Sequence, residues 1–167
     1  QDPLAGRVAL LQMPPMSQRE LIGAPSVPFT TNMEQLLAEN DRLQPVTTPE
    51  LYARLWRGSM PGIVCGDYPD RSIFYSSYLS TYVERDVREL TNSMDALKFN
   101  RFVTAVAARC SQLLNYKALA DDADVDMPTA KNWINILETL GIIFLLHPYS
   151  NNVLKRTIKT PKVYFYD

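Results

Sequence analysis

The stretch Asn115-Tyr116-Lys117-Ala118-Leu119-Ala120-Asp121-Asp122-Ala123-Asp124-Val125-Asp126-Met127-Pro128-Thr129-Ala130-Lys131-Asn132-Trp133 decides the fold. Asn115 can cap a short helix that carries Tyr116, Leu119, Ala120 and Ala123. A tight turn follows, and Asp126 can cap a further helix from about Met127 to Leu140. Both caps rest on the same chemistry: a short oxygen-bearing side chain accepts from backbone N–H groups that the first helical turn leaves without partners. In the helix after Asp126, the residues Ala130, Trp133, Ile134, Leu137 and Leu140 fall on one face, and Gly141 is placed to stop it. Two capped helices across a tight turn, the second amphipathic, predict a helix-turn-helix.

Moving outward, Phe99, Phe102, Val103, Val106, Cys110, Leu113 and Leu114 recur at spacings of three and four, predicting a scaffold helix from about Leu97 to Leu114. On the other side, Ile142 to Leu146 reads as an apolar strand. A turn at Pro148-Tyr149-Ser150-Asn151-Asn152 follows, and two more strand-like stretches lead to Tyr166. Long helix, short helix, turn, helix, strand and hairpin is the order of a winged helix. The expected fold is therefore mainly α with a small β wing: a winged helix-turn-helix preceded by a helical linker and a remnant strand.

The linker is a helix over Ile73 to Leu90, with Tyr75, Tyr78, Leu79, Tyr82, Val83, Val87 and Leu90 near one face as packing residues. Residues 69–167 form the second domain and 1–68 the first. Within the first, Val8 to Met13 reads as a strand ended by Pro14-Pro15. Ser17 to Glu20 and Thr31 to Glu34 read as capping boxes, with Met33, Leu36 and Leu37 as a buried stripe. Pro49 suits the first turn of a helix near Thr48 whose Leu51, Leu55 and Trp56 face inward until Gly58. The glycines and prolines between Arg57 and Pro69 predict a loop joining the two domains.

Composition excludes several classes of function. The 167 residues are 46% apolar, which supplies a core, and 17 Lys plus Arg against 18 Asp plus Glu leave a net charge of −1, so no global basic field favours nucleic acid. No apolar run nears the ~20 residues of a membrane span, and a cytoplasmic chain without membrane partners is expected. The chain opens without Met, and both ends read as cuts from something longer. Cys65 and Cys110 are expected to be buried, reduced thiols. His147, the single histidine, reads as structural. No GxxxxGK[ST] or GxGxxG phosphate loop exists, and one histidine with two distant cysteines is too few for a zinc site, so no catalysis and no cofactor are expected of this chain.

What remains is recognition. The outward residues of the helix after Asp126 are Thr129, Lys131, Asn132 and Asn135: amides and hydroxyls suited to base edges, and a lysine suited to phosphate. The wing adds Asn151, Lys155, Arg156 and Lys159. From Gly141 onward Lys155, Arg156, Lys159 and Lys162 stand against Asp167 alone, a net charge of +3. Against this, Asp121, Asp122, Asp124 and Asp126 put four carboxylates at the turn that would approach phosphate. Duplex DNA is the expected partner. The alternative is a protein-interaction module, which self-associates through the Tyr75 to Tyr82 face or couples to other parts of the same protein.

Several stretches also resemble one family. They are Leu4-Ala5-Gly6-Arg7-Val8-Ala9-Leu10-Leu11, Tyr78-Leu79-Ser80-Thr81-Tyr82-Val83-Glu84-Arg85-Asp86-Val87, Leu114-Asn115-Tyr116, Pro128-Thr129-Ala130-Lys131 with Trp133, and Lys159-Thr160-Pro161-Lys162-Val163-Tyr164-Phe165. Their order is similar to that in bacterial and archaeal ATP-binding proteins in which an AAA-type ATPase core precedes the domain of unknown function 4143. The resemblance implies a phosphate loop upstream of Gln1 binding ATP and Mg, with Arg7 near the nucleotide, and a nuclease-like region after Asp167. On that reading 1–68 is the end of the ATPase core with a helical connector.

Overall fold

The computed structural model describes Ala9, residues 13–83, Arg85, 95–149 and 159–167. The chain divides into two units, Gln1–Asp67 and Tyr68–Asp167. The described residues are mainly helical, with a small two-stranded antiparallel sheet.

In the first unit, α1 (Gln18–Leu21) carries a complete capping box: the Ser17 side chain accepts from Glu20 N, and the Glu20 carboxylate accepts from Ser17 N at 2.7 Å. Helix α2 (Met33–Asp41) begins one residue later than the sequence pattern suggested. Its cap is Asn32, whose side chain accepts from Gln35 N, so the expected Thr31–Glu34 box does not form. A salt bridge of 3.2 Å joins Arg19 of α1 to Glu39 of α2. Helix α3 (Thr48–Arg57) has a true capping box between Thr47 and Glu50, and Gly58 ends it at φ 83°, a left-handed angle that glycine adopts without penalty. Between Arg57 and Pro69, where a loop was expected, Pro61–Val64 forms a short helix, α4.

Periodicity placed these helices but misjudged their burial. Met33, Leu36 and Leu37 on α2 are exposed, and so are Leu51, Leu55 and Trp56 on α3, the last at 72%. Spacing fixes which residues share a face; it does not supply a neighbour to cover it. Among the described residues of this unit only Ile63 is a buried hydrophobic. The strand expected over Val8 to Met13 lies outside the described residues apart from Ala9 and Met13, which are not in a strand.

The core belongs to the second unit. Helix α5 (Arg71–Ser77) is capped by Asp70, whose carboxylate accepts from Ser72 N and Ile73 N, and it passes into a π-helical segment, Tyr78–Val83. Arg85 aside, the remainder of the linker helix expected to reach Leu90 is outside the described residues. Helix α6 (Ala96–Ala108), capped by Asp95, sends Phe99, Phe102, Val103 and Val106 inward. Helices α7 (Tyr116–Ala123) and α8 (Met127–Thr139) follow with the expected caps: Asn115 accepts from Ala118 N, Asp126 from Thr129 N. Trp133 of α8 meets the rings of Phe99 and Phe102 edge-on, with centroids 5.3 and 5.2 Å away. Edge-to-face contact sets the positive ring rim against a negative ring face, which fixes how α6 and α8 seat together.

The α6 helix ends six residues short of the expected Leu114. Ser111 takes a left-handed φ of 69°, and the chain beyond it runs extended beside β2 (Lys162–Phe165). Ser111 N donates to Val163 O, Val163 N to Gln112 O, and Leu114 N to Pro161 O. These residues traded helical hydrogen bonds for bonds to a strand about 50 residues later, which no local pattern announces. The change also turns Cys110 and Leu113 out of the stripe to exposed positions, and Cys65 is exposed as well, so neither thiol is buried as expected. Strand β1 (Ile143–Leu146) pairs with β2 in the register Ile143↔Phe165 to Leu146↔Lys162, with Ile143 and Val163 in the core. The other wing stretch expected between Asn152 and Lys159 lies outside the described residues.

Candidate functional site

On α8 the inward row Ala130, Trp133, Ile134 and Leu137 is buried, and Lys131, Asn132 and Asn135 are exposed on the other side. At 3.6 residues per turn, Asn132 and Asn135 lie near the middle of the exposed face, and Lys131 lies on one flank with Glu138. Thr129 falls on the opposite flank, half-buried. Of the residues expected in a wing, Lys159 is described and exposed, just ahead of β2; Asn151, Lys155 and Arg156 lie outside the described residues, as does Arg7. Three of the expected contact residues therefore share one accessible helix face.

Two features escaped the sequence reading. First, the Lys131 ammonium lies over the Tyr116 ring, 5.7 Å from its centroid. Tyr116 is the first residue of α7; burial raises its hydroxyl pKa above the ordinary value, with the Glu138 charge adding to the effect. Second, the four aspartates at the turn are each engaged inside the protein. Asp121 pairs with Lys117 at 2.9 Å, Asp122 with Arg109 at 2.6 Å and Asp124 with Lys98 at 2.8 Å, while Asp126 caps α8. The Lys98 hydrogen bond and charge hold the Asp124 carboxyl below its usual pKa, and the hydrogen bonds from Thr129 do the same for Asp126. Three cations set among four carboxylates leave the turn close to neutral, so the barrier that the aspartates alone would raise against a phosphate backbone is mostly offset. The Lys117–Asp121 pair has the i,i+4 spacing that sequence can show; the other two cross between helices, and their spacing reveals nothing.

His147 is exposed immediately after β1. Among the described residues, no group of three His, Cys, Asp or Glu side chains could hold a metal ion, and no helix is long and apolar enough to cross a membrane.

Two uncharacterized proteins, one from Mycobacterium tuberculosis and one from Mycobacterium bovis, are each 30% identical to this chain over 116 residues, covering 68% of it and 26% of their own length. The chain thus spans about a quarter of the length of these relatives. No solved structure matches. Nothing in these matches indicates an AAA-type ATPase core or the domain of unknown function 4143, and the resemblance read from the Leu4 to Leu11, Tyr78 to Val87 and Lys159 to Phe165 stretches is corrected accordingly. The expectations of ATP, Mg and a nucleotide contact at Arg7 rested on that resemblance alone and go no further. The family model that does match covers residues 48–167, from the first residue of α3 to the end of β2 and beyond, and the chain belongs to that family, the domain of unknown function DUF8612.

Proposed function

We propose that residues 96–167 act as a winged helix-turn-helix that binds duplex DNA, with α8 as the recognition helix. The observation that carries this reading is the exposed row Lys131, Asn132 and Asn135 on a helix whose opposite row is locked into the core. A rigid helix offering amides at its centre and a cation at its flank matches major-groove chemistry, in which amides read base edges and cations meet phosphate. The pairing of Asp121, Asp122 and Asp124 with cations supports it by lowering the local negative field. A fluorescence anisotropy titration with duplex DNA at low salt tests the reading. Affinity should fall steeply with salt and drop when Lys131, Lys155 and Arg156 are together replaced by Ala; an affinity unmoved by that replacement defeats it.

The alternative, self-association, is favoured by the exposed apolar row of α3. Its expected surface moves away from the Tyr75 to Tyr82 face, because the Tyr75 hydroxyl donates to Asp167 and both Tyr78 and Leu79 pack against the core. Light scattering after size exclusion separates the two readings. A monomer that binds duplex supports the first, and a dimer that ignores duplex supports the second.

A further inference from the structure

We propose that Tyr116 is a positioning residue for this interface, holding the Lys131 ammonium at one fixed place on the flank of the exposed α8 face. The inference rests on the DNA-binding reading and names a residue that the reading did not include. A lysine at an exposed helix position carries its charge on four rotatable bonds, so an unguided ammonium samples a wide arc of solvent. Here the ammonium lies over the face of an aromatic ring, where the negative quadrupole attracts a cation. The ring is itself fixed. Tyr116 packs against the core cluster, and Asn115 pins the first turn of α7 by accepting from Ala118 N at 3.1 Å.

The arrangement therefore transmits the position of α7 to a side chain of α8. Asn132 and Asn135 can read base edges only if the helix lies in the groove at one depth and one rotation. A phosphate contact made from a fixed ammonium sets that rotation, whereas one made from a roaming ammonium adds attraction without register. Tyr116 does this without consuming the charge, since the N–H groups of the ammonium that point away from the ring stay available to phosphate oxygens.

Two measurements on the whole chain test the proposal. In a proton–carbon NMR spectrum, the Lys131 ε-methylene protons should be shifted upfield by the ring. The shift should persist in Tyr116→Phe and vanish in Tyr116→Leu, with Trp133 emission confirming that the core is intact in each variant. In duplex titrations across salt, Lys131→Gln should flatten the slope of log affinity against log salt by about 0.9, the value of one phosphate contact. Tyr116→Leu should weaken binding in the same direction, Tyr116→Phe should match the wild type, and adding Tyr116→Leu to Lys131→Gln should change nothing more. An unshifted ε-methylene overturns the proposal whatever the DNA result. A Tyr116→Leu variant that binds like the wild type while Lys131→Gln does not also overturns it, leaving the DNA reading intact. A wild-type chain that shows the ring shift yet fails to bind duplex overturns the DNA reading and, with it, the role assigned here to Tyr116.

Discussion

Lys98 and Asp124 are joined twice: the Lys98 ammonium donates to the Asp124 carboxylate at 2.8 Å and to the Asp124 backbone carbonyl at 2.6 Å. Asp124 stands at the turn between α7 and α8 with a left-handed φ of 54°, a conformation that aspartate tolerates better than most residues. One lysine of α6 thus grips the bend that sets the angle between the next two helices. Lys98→Met should lower the melting temperature of the second unit by a few degrees, while Asp124→Gly, which removes the grip on the side chain but frees the left-handed backbone, should lower it less than Asp124→Ala. Thermal melts followed by circular dichroism check the order; a Gly variant less stable than the Ala variant would show that backbone conformation is not what the turn demands.

Acid should weaken the same region. The folded pKa values of Asp124 and Asp126 lie below the ordinary 3.8, so the stability they contribute is complete above the unfolded value and is lost as pH falls through the folded one. The melting temperature should be flat from about pH 5 upward with respect to these groups and should decline below about pH 4. Asp126→Asn, which keeps a capping oxygen without the charge, should flatten part of the decline, and a melt series across pH reads this out.

The core makes a sharper demand. Phe102 is fully buried and lies against the Trp133 ring, so Phe102→Ala should cost about 3–5 kcal/mol and leave the second unit partly unfolded at room temperature. Asn115→Ala, which removes a cap and touches no core atom, should cost about 1 kcal/mol. Urea unfolding gives both numbers, and a cap variant as damaging as the core variant would contradict this ranking.

The two tryptophans should report on different units. Trp133 is 4% exposed and Trp56 72%. Acrylamide should quench Trp56 readily and spare Trp133, and in Trp56→Phe the remaining emission should follow a single cooperative transition. The urea dependence of that transition should suit roughly the surface of the second unit rather than of the whole chain, because the first contributes little buried apolar area. A transition with the slope of the full length would show that the first unit unfolds with the second.

Both thiols, Cys65 and Cys110, should react with an aromatic disulfide reagent in the native protein without denaturant. Slow reaction of either would place it back in the interior that the sequence pattern had suggested.

What was legible in the sequence was local. The caps at Ser17, Asn115 and Asp126 could be read because each involves a side chain and a backbone N–H within three residues. The inward row of α8 could be read because helical periodicity and an available neighbour agree there. Events that depend on distant partners were invisible: the early end of α6, the pairing of Arg109 with Asp122, and the ring beneath Lys131. The exposed row of α3 failed for a different reason, since a correct face was assigned a covering that the unit does not provide. Among the candidate contact residues, Lys131, Asn132 and Asn135 share a face because of their helical spacing, as expected, whereas Thr129 at the edge of the same face is half-buried.

The pairing of residues 111–114 with β2 bears on the order in which this module is completed. As the chain leaves the ribosome, α6, α7 and α8 can pack as soon as Leu146 has emerged, yet Ser111 and Leu114 must wait for Pro161 and Val163, about 50 residues further along. Closing that long loop costs chain entropy that no local contact returns in advance. Strand β2 therefore acts as a latch: it joins the end of α6 to β1 in one move, and a chain halted before it would hold its helices around an open seam.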